Sequence, residues 1–160
     1  MNLAKTLYAL SVAVAASAAL GSAHGQDALI GSWVLDPAKT AAPPGASPTS
    51  GTLEITKAGD KYSSVSEVAA GGTTGRSEIT YAVDGKDYAV TVMPAQPGVS
   101  LTQAIERVSE TVYKSSVKLN GQPLATALTE ISGDGGTLTQ TTTGIGQFAA
   151  LSSTVVFRRK

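Results

Sequence analysis

The chain has 160 residues, no cysteine and a single histidine, and its 12 lysines and arginines balance its 12 aspartates and glutamates. Without cysteine there is no disulfide, no lipid-modified N-terminal cysteine and no thiolate chemistry. The only basic cluster is the C-terminal Arg158, Arg159 and Lys160, so the charge pattern argues against nucleic acid as a partner.

The first 25 residues have the pattern of a secretory signal peptide. Lys5 supplies the positive start, residues 7–20 are mostly Ala, Val and Leu, and small residues surround the expected cleavage after Ala23 or Gly25. The apolar run is shorter than the roughly 18–20 residues of a permanent membrane helix, so an uncleaved anchor is the less favoured alternative. We predict a signal peptide over 1–25, one domain over 26–160, and a soluble periplasmic or secreted protein without stable membrane insertion.

The position of the only histidine bears on catalysis. His24 lies at the predicted cleavage site, so the mature domain lacks the histidine of a Ser-His-Asp system or of the common zinc sites. The acidic residues show no spacing typical of paired catalytic carboxylates or of a calcium loop. Chemistry based on carboxylates, tyrosine or lysine alone stays open. We predict no catalytic residues, no metal site, no cofactor and a non-enzymatic role.

From residue 31 onward, short segments alternate apolar and polar residues and are separated by Gly, Asp, Asn and Pro, as β-strands are. Asp36-Pro37 ends the first strand, and the prolines that follow predict a long loop over 36–50, either a lid or a plain surface excursion. Asp84-Gly85 and Asn120-Gly121 predict hairpin turns, and 144–146 a flexible link. The predicted strands are 31–35, 52–57, 61–68, 77–83, 88–92, 111–119, 123–131, 137–143 and 154–158.

Residues 100–112 fit two patterns. Leu101, Ile105, Val108 and Val112 stand at helical spacing, whereas a period of two gives a strand with polar members. We favour the strand because its neighbours are all β. About nine or ten strands without intervening helices then indicate an antiparallel meander, closed as a barrel or folded as a sandwich.

Short motifs at both ends of the domain resemble those of small exported bacterial lipocalin-like proteins. Gly31-Ser32-Trp33 followed by Asp36-Pro37-Ala38-Lys39 is similar to their G-x-W strand and N/D-P-x-K-S/T segment, and residues 84–88 and 155–158 also resemble that group. The resemblance implies an all-β fold, an antiparallel up-and-down barrel of the calycin type with about eight to ten strands. It also implies that Trp33 packs at the closed end and that an arginine of the last strand, Arg158 or Arg159, lies across the indole. Of the two, we take Arg158 as the structural residue.

The tyrosines and one arginine are the candidate ligand-binding residues. Tyrosine hydroxyls can point into a cavity, although such residues are more often part of the core or the rim. Arg107 shares the face of Leu101 and Ile105 in the strand interpretation, where it could bind an anionic head group. We predict as ligand-binding residues Tyr81, Tyr88, Arg107 and Tyr113, with Tyr62 as a further hydroxyl. Four polar residues stand at positions that can face inward and so favour a wet interior: Gln103, Thr126, Glu130 and Gln140.

Two functions from different classes fit these features. In the first, a monomeric exported barrel holds a small, mainly apolar ligand such as a lipid or fatty acid, since barrels of this size can enclose one small molecule. In the second, the barrel is fully packed and serves as a non-catalytic structural or interaction domain of the cell envelope. The sequence names no specific ligand.

Overall fold

The computed structural model describes residues 16–17 and 27–160, so most of the predicted signal peptide and its cleavage site lie outside the described residues. The described chain is almost entirely β-structure. Its elements are β1 (Ala16–Ser17), β2 (Gly31–Leu35), β3 (Pro48–Ala58), β4 (Lys61–Ala70), β5 (Thr73–Tyr81), β6 (Asp84–Met93), β7 (Leu101–Arg107), β8 (Val112–Leu119), β9 (Gln122–Ile131), β10 (Thr137–Gly144), a 3₁₀-helix (Gly146–Leu151) and β11 (Ser153–Arg159).

Strands β2 to β11 form a closed barrel. Each pairs with the next along the chain, β11 pairs with β2, and all of these pairings are antiparallel. The short β1 lies parallel to β3 beside Ile55 and Thr56. Closure leaves no unpaired sheet edge within the barrel. The prediction of an all-β, antiparallel up-and-down barrel is confirmed. No helix among the described residues is long and apolar enough to cross a membrane.

The two ends of the barrel carry different elements. Strand β2 begins and β11 ends at one end of the barrel, which we call the Trp33 end. The 3₁₀-helix connects β10 to β11 at the other end, which we call the helix end. Because side chains alternate along a strand, one residue in two faces the interior. Apolar inward residues form a large cluster at the Trp33 end and a smaller one at the helix end, built on Leu101, Leu124 and Ala125. Small polar residues line the wall between them, among them Ser64, Ser66, Ser77 and Ser115.

Several local predictions can be checked directly. Residues Leu101–Arg107 form a strand, as favoured over the helix. Asn120 and Gly121 both have positive φ angles, as a type I′ hairpin turn requires. The hairpin predicted at Asp84-Gly85 is present, because β5 and β6 pair antiparallel over 76–79 and 90–93 in a register centred between these two residues. Its turn is not tight, since both residues open β6, where Asp84 pairs with Glu106 of β7.

The two connections near the helix end also differ from expectation. The proline-rich loop starts with the predicted turn, Lys39 N donating to Asp36 O at 3.2 Å. It then lies against β11 through two hydrogen bonds between Ala41 and Thr154, which form an isolated antiparallel bridge. The predicted flexible link at 144–146 leads into the 3₁₀-helix, which the sequence patterns missed.

Candidate binding site inside the barrel

Trp33 is a fully buried plug at one end of the barrel. Its indole Nε1 donates to Leu29 O at 3.3 Å, and the Arg159 guanidinium lies over its ring at 4.1 Å from the centroid. Arg159 also donates to the carbonyls of Ala28, Ile30 and Gly135 at 2.8, 2.7 and 2.6 Å. The structural role predicted for Trp33 therefore has a geometric basis, a buried aromatic ring covered by a cation.

The arginine that covers the indole is Arg159 and not Arg158, so our choice between the two was wrong. Strand alternation explains the outcome. Phe157 is buried and inward, so Arg159 shares its face and stands opposite Trp33, while Arg158 points outward and pairs with Asp36 at 3.2 Å. Gly31 makes room for the stack, because a Cβ at that position would lie 2.1 Å from Arg159 Nη1.

A cluster of polar side chains surrounds the Asp27 carboxylate at the same end. Tyr113 donates to Asp27 Oδ1 at 2.6 Å, while Tyr62 and Arg107 both donate to Oδ2. Arg107 also donates to the hydroxyl of Tyr113 at 2.8 Å, and Lys57 Nζ lies 3.6 Å from Oδ2. The Asp27 side chain is only 7% exposed. The carboxylate thus holds the segment that precedes β2 across the end of the barrel.

The electrostatics of this cluster favour an ionised Asp27. Burial by itself raises the pKa of the carboxyl group, but hydrogen bonds from Tyr113 and Tyr62 and the charge of Arg107 outweigh it and lower the pKa below its usual value. Burial, followed by the hydrogen bond to Asp27, raises the pKa of Tyr113, so its hydroxyl keeps its proton and donates it. The pKa of Tyr62 is raised for the same two reasons.

Three of the four predicted ligand-binding residues come together, and the fourth stands apart. Arg107 and Tyr113 are in the Asp27 cluster, and the fully buried Tyr81 stacks on Tyr62 with ring centroids 5.4 Å apart. Tyr88 is half-buried, and its hydroxyl donates to the Asp84 carboxylate at 3.1 Å. Arg107 and Tyr113 are occupied by Asp27, so the chain itself fills the place that we predicted for an anionic head group.

Sequence reasoning missed Asp27 and Lys57 as members of this cluster. Asp27 precedes the first predicted strand, with no pattern around it, and it is 80 residues from Arg107. Lys57 lies near the end of a strand at an inward position, which alternation from Leu53 and Ile55 indicates, but nothing near it in sequence points to its partner Asp27. Pairings between the segment before β2 and distant strands follow no local spacing in the sequence.

The middle of the inner wall is polar and only partly hydrogen-bonded. Ser66 and Ser77 bond to each other at 2.8 Å. Within 27–160, the buried inward atoms without a protein partner are Ser64 Oγ, Tyr81 Oη, Gln140 Oε1, Thr142 Oγ1 and Ser153 Oγ. An unpaired buried polar atom costs roughly 1–3 kcal/mol. This band of side chains therefore has unused hydrogen-bonding capacity that water or a ligand can take up.

The predictions about inward polar residues are half right. Gln103 and Gln140 are buried on the inner face, at 3% and 2% exposure, whereas Glu130 is exposed and Thr126 shares its outer face. Gln103 borders a cavity of about 10 Å³ together with Leu29, Ile105, Tyr113, Ser115 and Thr129. A space of that size can hold about one water molecule, and its polar lining residues can form hydrogen bonds to that molecule.

At the helix end, a cluster of apolar side chains lies under the 3₁₀-helix. Phe148 and Leu151 of that helix pack on the cluster of Leu101, Leu124 and Ala125, together with half-buried Val90, Val92, Val99, Val117 and Leu119. None of the helix residues is fully buried, and the helix has no side-chain cap at its N-terminus. Gly144 is required before it, because a Cβ there would lie 1.9 Å from Phe148 O. The helix is thus a lightly anchored cover over apolar residues.

No family model matches the sequence, and no curated protein sequence matches it. Solved structures do match the fold. A fatty acid binding protein of Schistosoma mansoni in complex with arachidonic acid has a TM-score of 0.60 and 14% identity, over 86% of this chain and 99% of that chain. Secretory abundant heat soluble protein 4 of Ramazzottius varieornatus has a TM-score of 0.59 and 16% identity, over 87% and 99%. A point mutant of the fluorescent protein UnaG has a TM-score of 0.56 and 18% identity, over 83% and 96%.

These likenesses show that the chain shares the closed antiparallel β-barrel fold of those three proteins. At such low identity they show the fold alone, and function has to be argued from the site.

Proposed function

We propose that this chain is an exported, non-catalytic binding protein that holds a small, mainly apolar ligand inside its barrel. The observation that carries the proposal is the composition of the inner wall. Large apolar side chains fill the Trp33 end, whereas the middle is lined by buried small polar residues whose hydroxyls are partly unpaired. A barrel optimised only for packing would place large apolar residues there.

The strand number supports an enclosed ligand. An eight-stranded barrel is just wide enough to be filled by side chains or to hold one small ligand, and the diameter grows with the number of strands. This barrel has ten strands, with serines at inward positions 64, 66, 77 and 115. Its own side chains are therefore poorly matched to filling the middle, which favours a ligand over the packed structural domain.

The apolar character of the ligand follows from the helix end. The residues under the 3₁₀-helix are aliphatic, and contact with them removes apolar ligand surface from water. A fatty acid binding protein with bound arachidonic acid shares the fold, which adds an analogy in the same direction. Export, in this proposal, depends on the signal peptide predicted over residues 1–25.

Binding is tested by titrating the purified protein with diphenylhexatriene, a hydrocarbon that fluoresces when it leaves water. We expect saturable binding at micromolar concentrations, and a co-purifying small molecule in native mass spectrometry. The inward substitution Ser64→Leu should weaken probe binding at least about tenfold, an effect of about 1.4 kcal/mol. Its neighbour Ser63 is exposed on the outer face of the same strand, so Ser63→Leu is the matched control and should leave the probe affinity unchanged.

The absence of both an adduct and saturable probe binding would leave the packed structural domain as the function. Export needs its own test: expression of the full chain in a Gram-negative bacterium, with fractionation and intact mass measurement. We expect a periplasmic or secreted product that begins at His24 or Gln26. Val12→Arg, which places a charge in the predicted apolar run, should retain the unprocessed chain in the cytoplasm. Recovery of uncleaved wild-type chain in the cytoplasm would contradict export.

A further inference from the structure

Three polar side chains with unused hydrogen-bonding atoms stand side by side on the inner wall. Gln140 and Thr142 are inward residues of β10, and Ser153 is the first residue of β11, directly opposite Thr142 in the register. They are 2%, 5% and 8% exposed. Within the described residues, Gln140 Oε1, Thr142 Oγ1 and Ser153 Oγ have no hydrogen-bond partner. We call these three residues the β10–β11 triad.

The triad adjoins the apolar cluster under the 3₁₀-helix. Thr142 is two residues before Gly144, after which the chain enters the 3₁₀-helix, and Ser153 is two residues after Leu151, where that helix ends. Phe148 and Leu151 of the same helix belong to the apolar cluster at the helix end. A ligand with one polar group and an apolar body can therefore meet both surfaces at once.

The triad is uncharged, and the inward cations are at the other end of the barrel. Arg107 and Lys57 face the Asp27 carboxylate, and Arg159 covers Trp33 while donating to three backbone carbonyls. Arg159 is six residues along β11 from Ser153, which at 3.3 Å per residue is roughly 20 Å. An anionic group at the triad would lose its hydration and gain no opposite charge. Hydroxyl, amide and ester groups avoid that cost and can use the free Oγ and Oε1 atoms.

We propose that the β10–β11 triad binds the uncharged polar group of an amphipathic ligand, an alcohol, amide or ester, whose apolar body lies under the 3₁₀-helix. This inference rests on the proposed function and narrows it, because it selects neutral lipids over fatty-acid anions. Thr142 and Ser153 supply hydroxyls that both donate and accept, and Gln140 supplies a carbonyl acceptor for a ligand hydroxyl or N–H.

The test is a competition experiment at neutral pH with diphenylhexatriene bound to the protein. Dodecanol, dodecanoate and dodecylammonium share one chain length and differ in head group. We expect dodecanol to displace the probe at a concentration at least about tenfold below that of either ion. Thr142→Val keeps the side-chain shape and removes the hydroxyl, so it should reduce that preference about tenfold. Thr141→Val, on the outer face of the same strand, should leave both the preference and the probe affinity unchanged.

The outcomes distinguish a failure of the neutral-ligand inference from a failure of the proposed binding function. If the probe binds but dodecanoate displaces it as well as dodecanol does, the neutral-ligand inference is overturned and the binding function stands. The same holds if Thr142→Val leaves the preference unchanged; Ser153→Ala, which also removes a hydroxyl, repeats the test should Thr142→Val fail to fold. If the probe does not bind the wild-type protein at all, both the proposed function and this inference fail.

Discussion

The two ends of the barrel differ in how they are closed and in whether their polar groups are paired. At the Trp33 end, the segment before β2, with Leu29, closes the barrel, and the charged groups are paired: Asp27 with Arg107, and Arg159 with backbone carbonyls and the Trp33 ring. At the helix end, a six-residue 3₁₀-helix with no buried residue covers a small apolar cluster, next to the unpaired polar atoms of the β10–β11 triad.

Because of this difference, we expect the Trp33 end to determine most of the stability and the helix end to bind the ligand. Buried apolar contacts and satisfied hydrogen bonds lower the free energy of the folded state, so the Trp33 end is where we expect most of the stability to originate. Unpaired buried atoms raise that free energy, and a lightly anchored cover opens at a lower cost than a core element does. The helix end therefore has the properties expected of a binding surface, whose unpaired polar atoms a ligand can satisfy. The four predictions below test this division, from the largest expected effect to the smallest.

The first prediction compares the aromatic residues of the two ends. Trp33→Ala should lower the free energy of unfolding by about 3–5 kcal/mol, because it removes a fully buried ring and leaves a cavity under Arg159. Phe148→Ala should cost less than about 1 kcal/mol, since Phe148 lies on a helix with no fully buried residue. Urea denaturation measures both. A loss below about 0.5 kcal/mol for Trp33→Ala would show that Trp33 is not the plug.

The second prediction uses the adjacent arginines of β11. Arg159→Met should destabilise the fold by about 2–3 kcal/mol, because it removes the cation over Trp33 and three hydrogen bonds to carbonyls. Arg158→Met removes only an exposed ion pair with Asp36 and should cost less than about 1 kcal/mol. Equal effects of the two substitutions in the same denaturation assay would contradict the placement of Arg159 over the indole.

The third prediction concerns pH. The pKa of Asp27 is lowered in the folded state, so the ionised carboxylate stabilises the protein fully above the ordinary pKa of an aspartate, about 3.9, and this stability is lost as the pH falls through the lowered value. Asp27→Asn should cost about 1–2 kcal/mol at neutral pH, and the difference from wild type should shrink below about pH 4. Melting temperatures of both proteins across this range measure it. A difference independent of pH would mean that the charge of Asp27 is not what holds the segment.

Much of the fold was predictable because strands and tight turns have recognisable short-range patterns in the sequence. Alternation located most of the strands, and Asn120-Gly121 located a turn, since few residues adopt the positive φ angles needed there. The same alternation, counted from the inward Phe157, was enough to choose Arg159 over Arg158. That error came from relying on the motif rather than on the period of the strand.

The site was less predictable because its contacts are long-range. The Asp27 cluster joins the segment before β2 to β3, β4, β7 and β8, and nothing near Asp27 in sequence indicates those partners. Alternation through residues 137–143 does identify Gln140 and Thr142 as facing one side. It cannot show that their oxygen atoms lack partners, since this depends on every strand that faces them across the barrel.

The last prediction concerns the smallest change in the free energy of unfolding, and it is a gain in stability where the others are losses. Thr142→Val replaces an unpaired buried hydroxyl with a methyl group of similar size, so the ligand-free protein should gain up to about 1 kcal/mol in the free energy of unfolding. Thr141→Val, which changes an exposed residue of the same strand, should stay within about 0.5 kcal/mol of wild type. Denaturation of delipidated protein measures both. A loss of more than about 1 kcal/mol for Thr142→Val would mean that a bound water already satisfies the hydroxyl in the free protein. A gain in stability, combined with a weaker preference for dodecanol, would show that the helix end keeps a polar atom at the expense of stability because a ligand uses it.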